Sequence, residues 1–184
     1  MKKWIVILMA AVIAGGGAFV YYARSNNSEP LAVGATAPAF TTTGALAGKE
    51  FQFSLIDKLK DGPVVLYFFP KAFTEGCTIE ASMFADATAE FNAAGATVIG
   101  MSGDDIEGLK KFSVSECRDK FAVARADDKI IEDYQVRMSP GLAMTNRTSY
   151  VIDRTGKIVF VHSATKPQGH VTGTLAKVKA LSKS

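Results

Sequence analysis

The sequence predicts an α/β protein: a mixed central sheet flanked by helices on both faces, preceded by an apolar N-terminal helix. Three observations lead there. The run Val64-Val-Leu-Tyr-Phe-Phe69 is apolar without alternation, the pattern of an interior strand covered on both faces. Strand and helix signals alternate through the middle of the chain and a hairpin comes late, an order that suits mixed pairing within one sheet. Trp4 to Ala23 is twenty residues without a charge, enough to cross a hydrocarbon core of about 30 Å as a helix.

That first segment sets the organisation. Lys2 and Lys3 precede it, Arg24 follows, and Trp4, Tyr21 and Tyr22 fall where interfacial aromatics sit. Residues 1–24 read as a signal-anchor, or as a signal peptide cleaved near the small residues Ala14 to Ala18. Both readings place the remainder outside the cytoplasm, on the periplasmic side, and the uncleaved form engages the membrane. Residues 25–35 read as a linker of polar and then small residues, and residues 36–184 as one domain. The formal charge of +3 comes from the N-terminal segment. Without its three basic residues, 18 basic side chains face 18 acidic ones, which removes the electrostatic case for nucleic-acid binding.

The elements follow in order. Thr36 to Phe53 reads as an extended or hairpin opening, with Gly44 and Gly48 as turn points. Ser54 caps a short helix to Leu59. Asp61-Gly62-Pro63 turns the chain into the central strand Val64–Phe69, which Pro70 ends. A helix starts on Cys77 and runs to about Ala93, with Ile79, Met83, Phe84, Ala87 and Phe91 on one stripe; Gly95 closes it. Ala96–Ser102 is the next strand, Asp104–Phe112 the next helix, and Phe121–Arg125 a short strand. A brief helix spans Lys129–Tyr134. Tyr150–Asp153 and Lys157–His162 pair across Arg154-Thr155-Gly156, and Val171–Leu181 is the closing helix.

Cys77 is the residue that carries chemistry. A thiol at a helix N-terminus faces unpaired N–H groups and the positive end of the helix dipole. Both favour the thiolate, the reactive form of cysteine. Thr74 lies three residues earlier, so its hydroxyl can fold back toward the sulfur or cap the helix. The spacing Pro70-x-x-x-Thr74-x-x-Cys77 resembles the active-site motif of peroxiredoxins, the thiol peroxidases of the AhpC/TSA family. Cys77-Thr-Ile-Glu80-Ala and Asn146-Arg147-Thr148-Ser149-Tyr150-Val-Ile-Asp153 are most similar to the peroxiredoxin Q branch, also called bacterioferritin comigratory protein. The resemblance runs from about Gly34 to the C-terminus, and it implies a thioredoxin fold.

It also implies a chemistry. Sulfur attacks one peroxide oxygen, the other leaves, and Cys77 becomes a sulfenic acid. The substrate is hydrogen peroxide or an organic hydroperoxide. Thr74 would hydrogen-bond the thiolate and the peroxide, and Pro70 would shape the pocket wall. Arg147 stands just before a late strand, where the matching family arginine reaches the cysteine; a guanidinium there favours the thiolate and stabilises developing negative charge. Glu80, one helical turn after Cys77, either orients Arg147 or is a solvated helix glutamate. Glu75 is expected to point to solvent.

Cys117 is the second cysteine. Many peroxiredoxin Q relatives place a resolving cysteine five residues after the peroxidatic one, where this chain has Ser82. Others carry it in the next helical region, which Cys117 resembles. The alternatives are a 1-Cys enzyme with Cys117 as bystander, and a static disulfide in an oxidising compartment. The implied reductant is a thioredoxin-like or other dithiol protein, and the expected state is a monomer. The two histidines, His162 and His170, have no metal-ligand spacing, and no Gly-rich phosphate loop or serine elbow is present, so no metal or cofactor is expected. An exported disulfide carrier would need Cys-x-x-Cys, and position 80 is Glu.

Overall fold

The computed structural model describes residues 29–183; the apolar segment 4–23 and the first part of the linker lie outside the described residues. Seven strands form one sheet in the order β2-β1-β5-β4-β3-β6-β7. They are β1 (Thr41–Leu46), β2 (Lys49–Ser54), β3 (Val64–Phe68), β4 (Thr97–Ser102), β5 (Ala122–Arg125), β6 (Thr148–Ile152) and β7 (Ile158–Ser163). The helices are α1 (Leu55–Asp61), α2 (Glu75–Ala93), α3 (Ile106–Ser115), α4 (Asp128–Asp133) and α5 (Gln168–Leu181). β3, β4 and β5 run parallel, while β1 and β6 flank them antiparallel. The mixed sheet is the one expected.

Every residue of β3 is buried, and its two faces feed two cores. Val65, Tyr67 and Phe69 pack with side chains of α2, α3 and α5. Val64, Leu66 and Phe68 pack with those of α1 and α4. This is the period-2 alternation of a strand expressed inside an apolar run. On the first face Tyr67 stacks on Phe84 at 4.3 Å between centroids and Phe69 on Phe112 at 5.3 Å, pairs worth about 0.5–1.5 kcal/mol each beyond their buried area.

Local chemistry fixes the element starts. Ser54, Asp105 and Asp127 each accept an N–H from the first turn of the helix they cap, satisfying one orphan donor. Ala47 and Gly48, both at positive φ, form the two-residue hairpin loop between β1 and β2.

Five expectations shift. Gly44 is no turn point: it lies inside β1 opposite Phe51, and a Cβ there would come within 2.9 Å of that ring. α3 is shifted along the chain, starting at Ile106 after its Asp105 cap and ending at Ser115, and α5 begins earlier, at Gln168. On α2, Ile79 faces outward at 44% exposure, and Cys77, Glu80 and Ala81 occupy the buried face instead. The last part of the expected linker is tied to the sheet. Leu31 N–H donates to the Tyr150 hydroxyl, Gly34 N–H to the Ile158 carbonyl, and Ile158 N–H to the Ala35 carbonyl.

Candidate active site

Cys77 is delivered to the carboxyl end of β3 by a short braced loop. Phe69 N–H still donates to the Met101 carbonyl, and the Thr145 hydroxyl donates to the Phe69 carbonyl at 2.8 Å. Beyond Pro70, Ala72 N–H and the Ser102 hydroxyl both donate to Asp104 Oδ2, at 2.7 and 2.8 Å. Phe73 then takes a left-handed conformation at φ 63°, uncommon for a bulky side chain, with its exposed ring edge-on to Phe112. Thr74 follows as the N-cap of α2.

The helix therefore opens at Glu75, and Cys77 is its third residue rather than its first. Its N–H is paired with the Thr74 carbonyl at 3.0 Å, so the sulfur sits in the first turn, within reach of the dipole's positive end. The Thr74 hydroxyl is turned away from the expected direction: it donates to the Lys71 carbonyl at 3.0 Å, and no side-chain cap forms. Thr74 and Glu75 are exposed, Pro70 is half-buried and Cys77 is buried.

The cation comes from across the sheet. β6 runs antiparallel to β3 and pairs Thr148 with Phe68, which puts the residue before it, Arg147, at the same end as Cys77. Arg147 Nη2 donates to Cys77 Sγ at 3.5 Å. Nη1 donates to Glu80 Oε2, and Nε to the Thr165 carbonyl at 3.1 Å. The side chain is 9% exposed. Three partners on two segments, α2 and the loop after β7, hold one guanidinium against one thiol, the fixed geometry for which arginine suits better than lysine. Gly76 makes room, since a Cβ there would stand 3.1 Å from Nη2.

Behind the arginine lies a buried polar layer, in which Glu80 takes the orienting role the sequence offered it and His170 is a member that sequence reasoning missed. Glu80 is wholly buried, and burial pushes its carboxyl up to about 8 despite the opposing guanidinium. His170, from the first turn of α5, is also wholly buried. Its Nδ1 is 2.8 Å from the Ser149 hydroxyl and its Nε2 2.9 Å from the Ala164 carbonyl. Burial lowers it to about 4, so the ring is neutral near pH 7. His170 has no metal-ligand spacing in the sequence, and the signal it does carry is its place at the start of the helix that follows the β6–β7 hairpin.

Cys117 lies two residues past the end of α3, buried in the same apolar cluster as Cys77. Burial, with Glu116 and Asp119 adding to it, holds its thiol well above the ordinary range. Its N–H donates to the Phe112 carbonyl. Arg118 and Asp119 follow at positive φ, and Arg118 reaches back to α2 at the Ser82 carbonyl and Asp86. Among the described residues no cluster of three metal-ligating side chains occurs.

A buried thiol in the first turn of a helix, gripped by an arginine on a thioredoxin-type sheet, defines a cysteine-based redox site. Comparison with known proteins makes this specific. Residues 33–161 match the AhpC/TSA family, and the chain belongs to it. The chain is 34% identical over 149 residues to "Peroxiredoxin Q, chloroplastic" of Suaeda salsa, covering 80% of this chain and 68% of that one. It is 32% identical over 151 residues to "Putative peroxiredoxin bcp" of Coxiella burnetii, covering 79% and 97%. The crystal structure of peroxidoxin BcpB from Mycobacterium tuberculosis superposes with a TM-score of 0.73 at 31% identity, covering 81% of this chain and 97% of that one. The fold is the peroxiredoxin form of the thioredoxin fold, and the chain is a peroxidase of the oxidoreductase class.

Proposed function

We propose that Cys77 reduces hydrogen peroxide and organic hydroperoxides by direct displacement. Its thiolate attacks one peroxide oxygen, the O–O bond breaks, and sulfur is left as sulfenic acid. The observation that carries this reading is the guanidinium nitrogen 3.5 Å from Sγ, fixed by Glu80 and Thr165. A cation held there stabilises the charge that develops on the leaving oxygen. Pro70 forms part of the wall at the end of β3. Thr74, as N-cap, sets the turn that carries Cys77, and its exposed hydroxyl is free to swing from the Lys71 carbonyl to an arriving peroxide. The test is peroxide consumption by the full-length chain against its Cys77→Ser variant; substantial activity in the variant would end the proposal.

Cys117 then resolves the sulfenic acid as an intramolecular disulfide, and a thioredoxin-like or other dithiol protein re-reduces it. The thiolate is the attacking species, so Cys117 must first leave the core that keeps it protonated. Both cysteines lie at element ends, where local opening costs least. Peptide mapping after one equivalent of peroxide should find a Cys77–Cys117 bond. The burial of Cys117 also favours a second reading, a 1-Cys cycle, in which the wild type stops at sulfenic acid.

The working site is on the periplasmic side, anchored by residues 4–23 or released by cleavage, and the enzyme works as a monomer. Protease treatment of spheroplasts should digest the catalytic domain; protection would place it in the cytoplasm.

A further inference from the structure

Among the described residues, two buried side-chain oxygens have no hydrogen-bond partner, and both lie in this region: Tyr67 Oη and Glu80 Oε1. The second bears on the chemistry. We propose that Glu80 and Cys77 share one proton across the buried site, Glu80 holding it while Cys77 is a thiolate and giving it up as Cys77 becomes sulfenic acid, with His170 as the positioning residue that leaves Glu80 able to hold it. The proposal rests on the reading of Cys77 as the peroxide-reducing thiol.

The argument begins with hydrogens. A carbonyl only accepts, so the 2.9 Å contact of His170 Nε2 with the Ala164 carbonyl puts the ring proton on Nε2. Nδ1 is then a lone pair, and it accepts the Ser149 hydroxyl at 2.8 Å. This face of the ring stands 3.9 Å from Glu80 Oε1 and offers it no hydrogen. Oε2 is occupied by Arg147. An ionised Glu80 would thus carry a buried acceptor with nothing donating to it, a costly arrangement. A protonated Glu80 is neutral, so an Oε1 without a donor costs far less than it would on a buried carboxylate.

Charge gives the second part. The groups facing Glu80 are Arg147 from the segment before β6, His170 from α5 and Cys77 from its own helix. Behind them stand Tyr67 on β3 and the half-buried His162 of β7, whose ring meets His170 edge-on at 4.5 Å. Arg147 is the one fixed cation among them. A thiolate and a carboxylate together would leave a net negative charge in a water-excluded pocket, which is disfavoured. One anion at a time balances Arg147.

The reaction keeps that balance. Thiolate sulfur bonds to one peroxide oxygen and is oxidised by two electrons; the O–O bond breaks and the peroxide is reduced. The attacked oxygen keeps its hydrogen as S–OH. The leaving oxygen takes one proton and departs as water or alcohol, and Glu80 gives up one proton, so solvent supplies none on balance. The site begins with the thiolate and ends with the Glu80 carboxylate as its single anion. The elevated carboxyl of Glu80 and the lowered imidazole of His170 agree with this assignment near neutral pH.

The test is infrared difference spectroscopy on the full-length chain, reduced against oxidised by one equivalent of hydrogen peroxide, with thiol titration confirming loss of the Cys77 thiol. The carbonyl band of a protonated carboxyl should be present when reduced, lost on oxidation, and missing throughout in Glu80→Gln. The rate of Cys77 oxidation should fall on an alkaline limb near pH 8, and Glu80→Gln should remove that limb. His170→Asn presents an amide donor to Oε1 and should move the limb down by about one pH unit. Cys77 oxidation with no carboxyl band lost, or a limb that survives Glu80→Gln, overturns the proposal and leaves the peroxidase reading standing. A Cys77 that peroxide does not oxidise ends both.

Discussion

Two cysteines sit in one apolar cluster of this protein, equally hidden from solvent, and their surroundings differ in kind. Cys77 is in the first turn of α2, with a guanidinium 3.5 Å from its sulfur. Cys117 follows the last turn of α3, near the negative end of that dipole, with Glu116 and Asp119 beside it. Burial alone therefore does not decide what a cysteine does. The polarity of the helix end and the sign of the nearest charge do, because a thiolate needs positive potential once water is excluded.

The comparison can be broken most decisively at Cys77. Cys77→Ser should reduce peroxide consumption to background while the circular dichroism spectrum stays native; equal loss from both cysteine variants in a single-oxidation assay would erase the distinction. Cys117→Ala, which avoids burying a hydroxyl, should still complete one oxidation at the wild-type rate. Turnover with a dithiol protein should be lost, with sulfinic acid accumulating at Cys77 by mass spectrometry. Normal turnover would reduce Cys117 to core packing. Arg147→Ala tests the charge that separates the two sites. Stopped-flow oxidation of Cys77 should slow by about 10²–10³-fold, the scale of losing one preorganised donor to developing charge, and an unchanged rate would detach Arg147 from the chemistry.

Smaller effects sharpen the electrostatic side. Glu80 is raised to about 8 from 4.5, so its contribution to stability is complete below about pH 4.5 and is lost as pH rises through 8. His170 is lowered to about 4 from 6.5; its contribution is present above 6.5 and is lost as pH falls through 4. Between 4.5 and 6.5 the two oppose, and between 6.5 and 8 only Glu80 acts. Denaturant melts should show stability falling by about 2 kcal/mol across that upper window, and Glu80→Gln should flatten the fall. A fall of equal size in the variant would assign it to other groups.

Much of this was legible along the chain. The apolar run at Val64–Phe69 announced a doubly covered strand, Ser54 capped its helix, and Pro70, Thr74 and Cys77 marked the turn between β3 and α2. Each of these is local: a period or spacing within one element expresses a preference that those few residues hold by themselves. Local rules also went astray where packing across the sheet intervened. Gly44 reads as a turn but serves as the place where the Phe51 ring crosses β1. Ile79 reads as core, but the sheet takes the face of α2 that carries Glu80 and Ala81.

By itself the sequence determined the strand and helix pattern and the cysteine at the start of a helix, because short-range sterics, capping and hydrophobic period suffice for these; the family showed through the likeness of the Pro70, Thr74 and Cys77 motif to that of known proteins. Only the tertiary structure decided the company that cysteine keeps. Arg147 is seventy residues from Cys77 and His170 later still; antiparallel pairing of β6 with β3 and of β7 with β6 brings them to one end of the sheet. Glu80 could have been a solvated glutamate or Arg147's partner, and spacing alone left both open. Which face of α2 the sheet covers settled it, and that is a property of packing between distant segments.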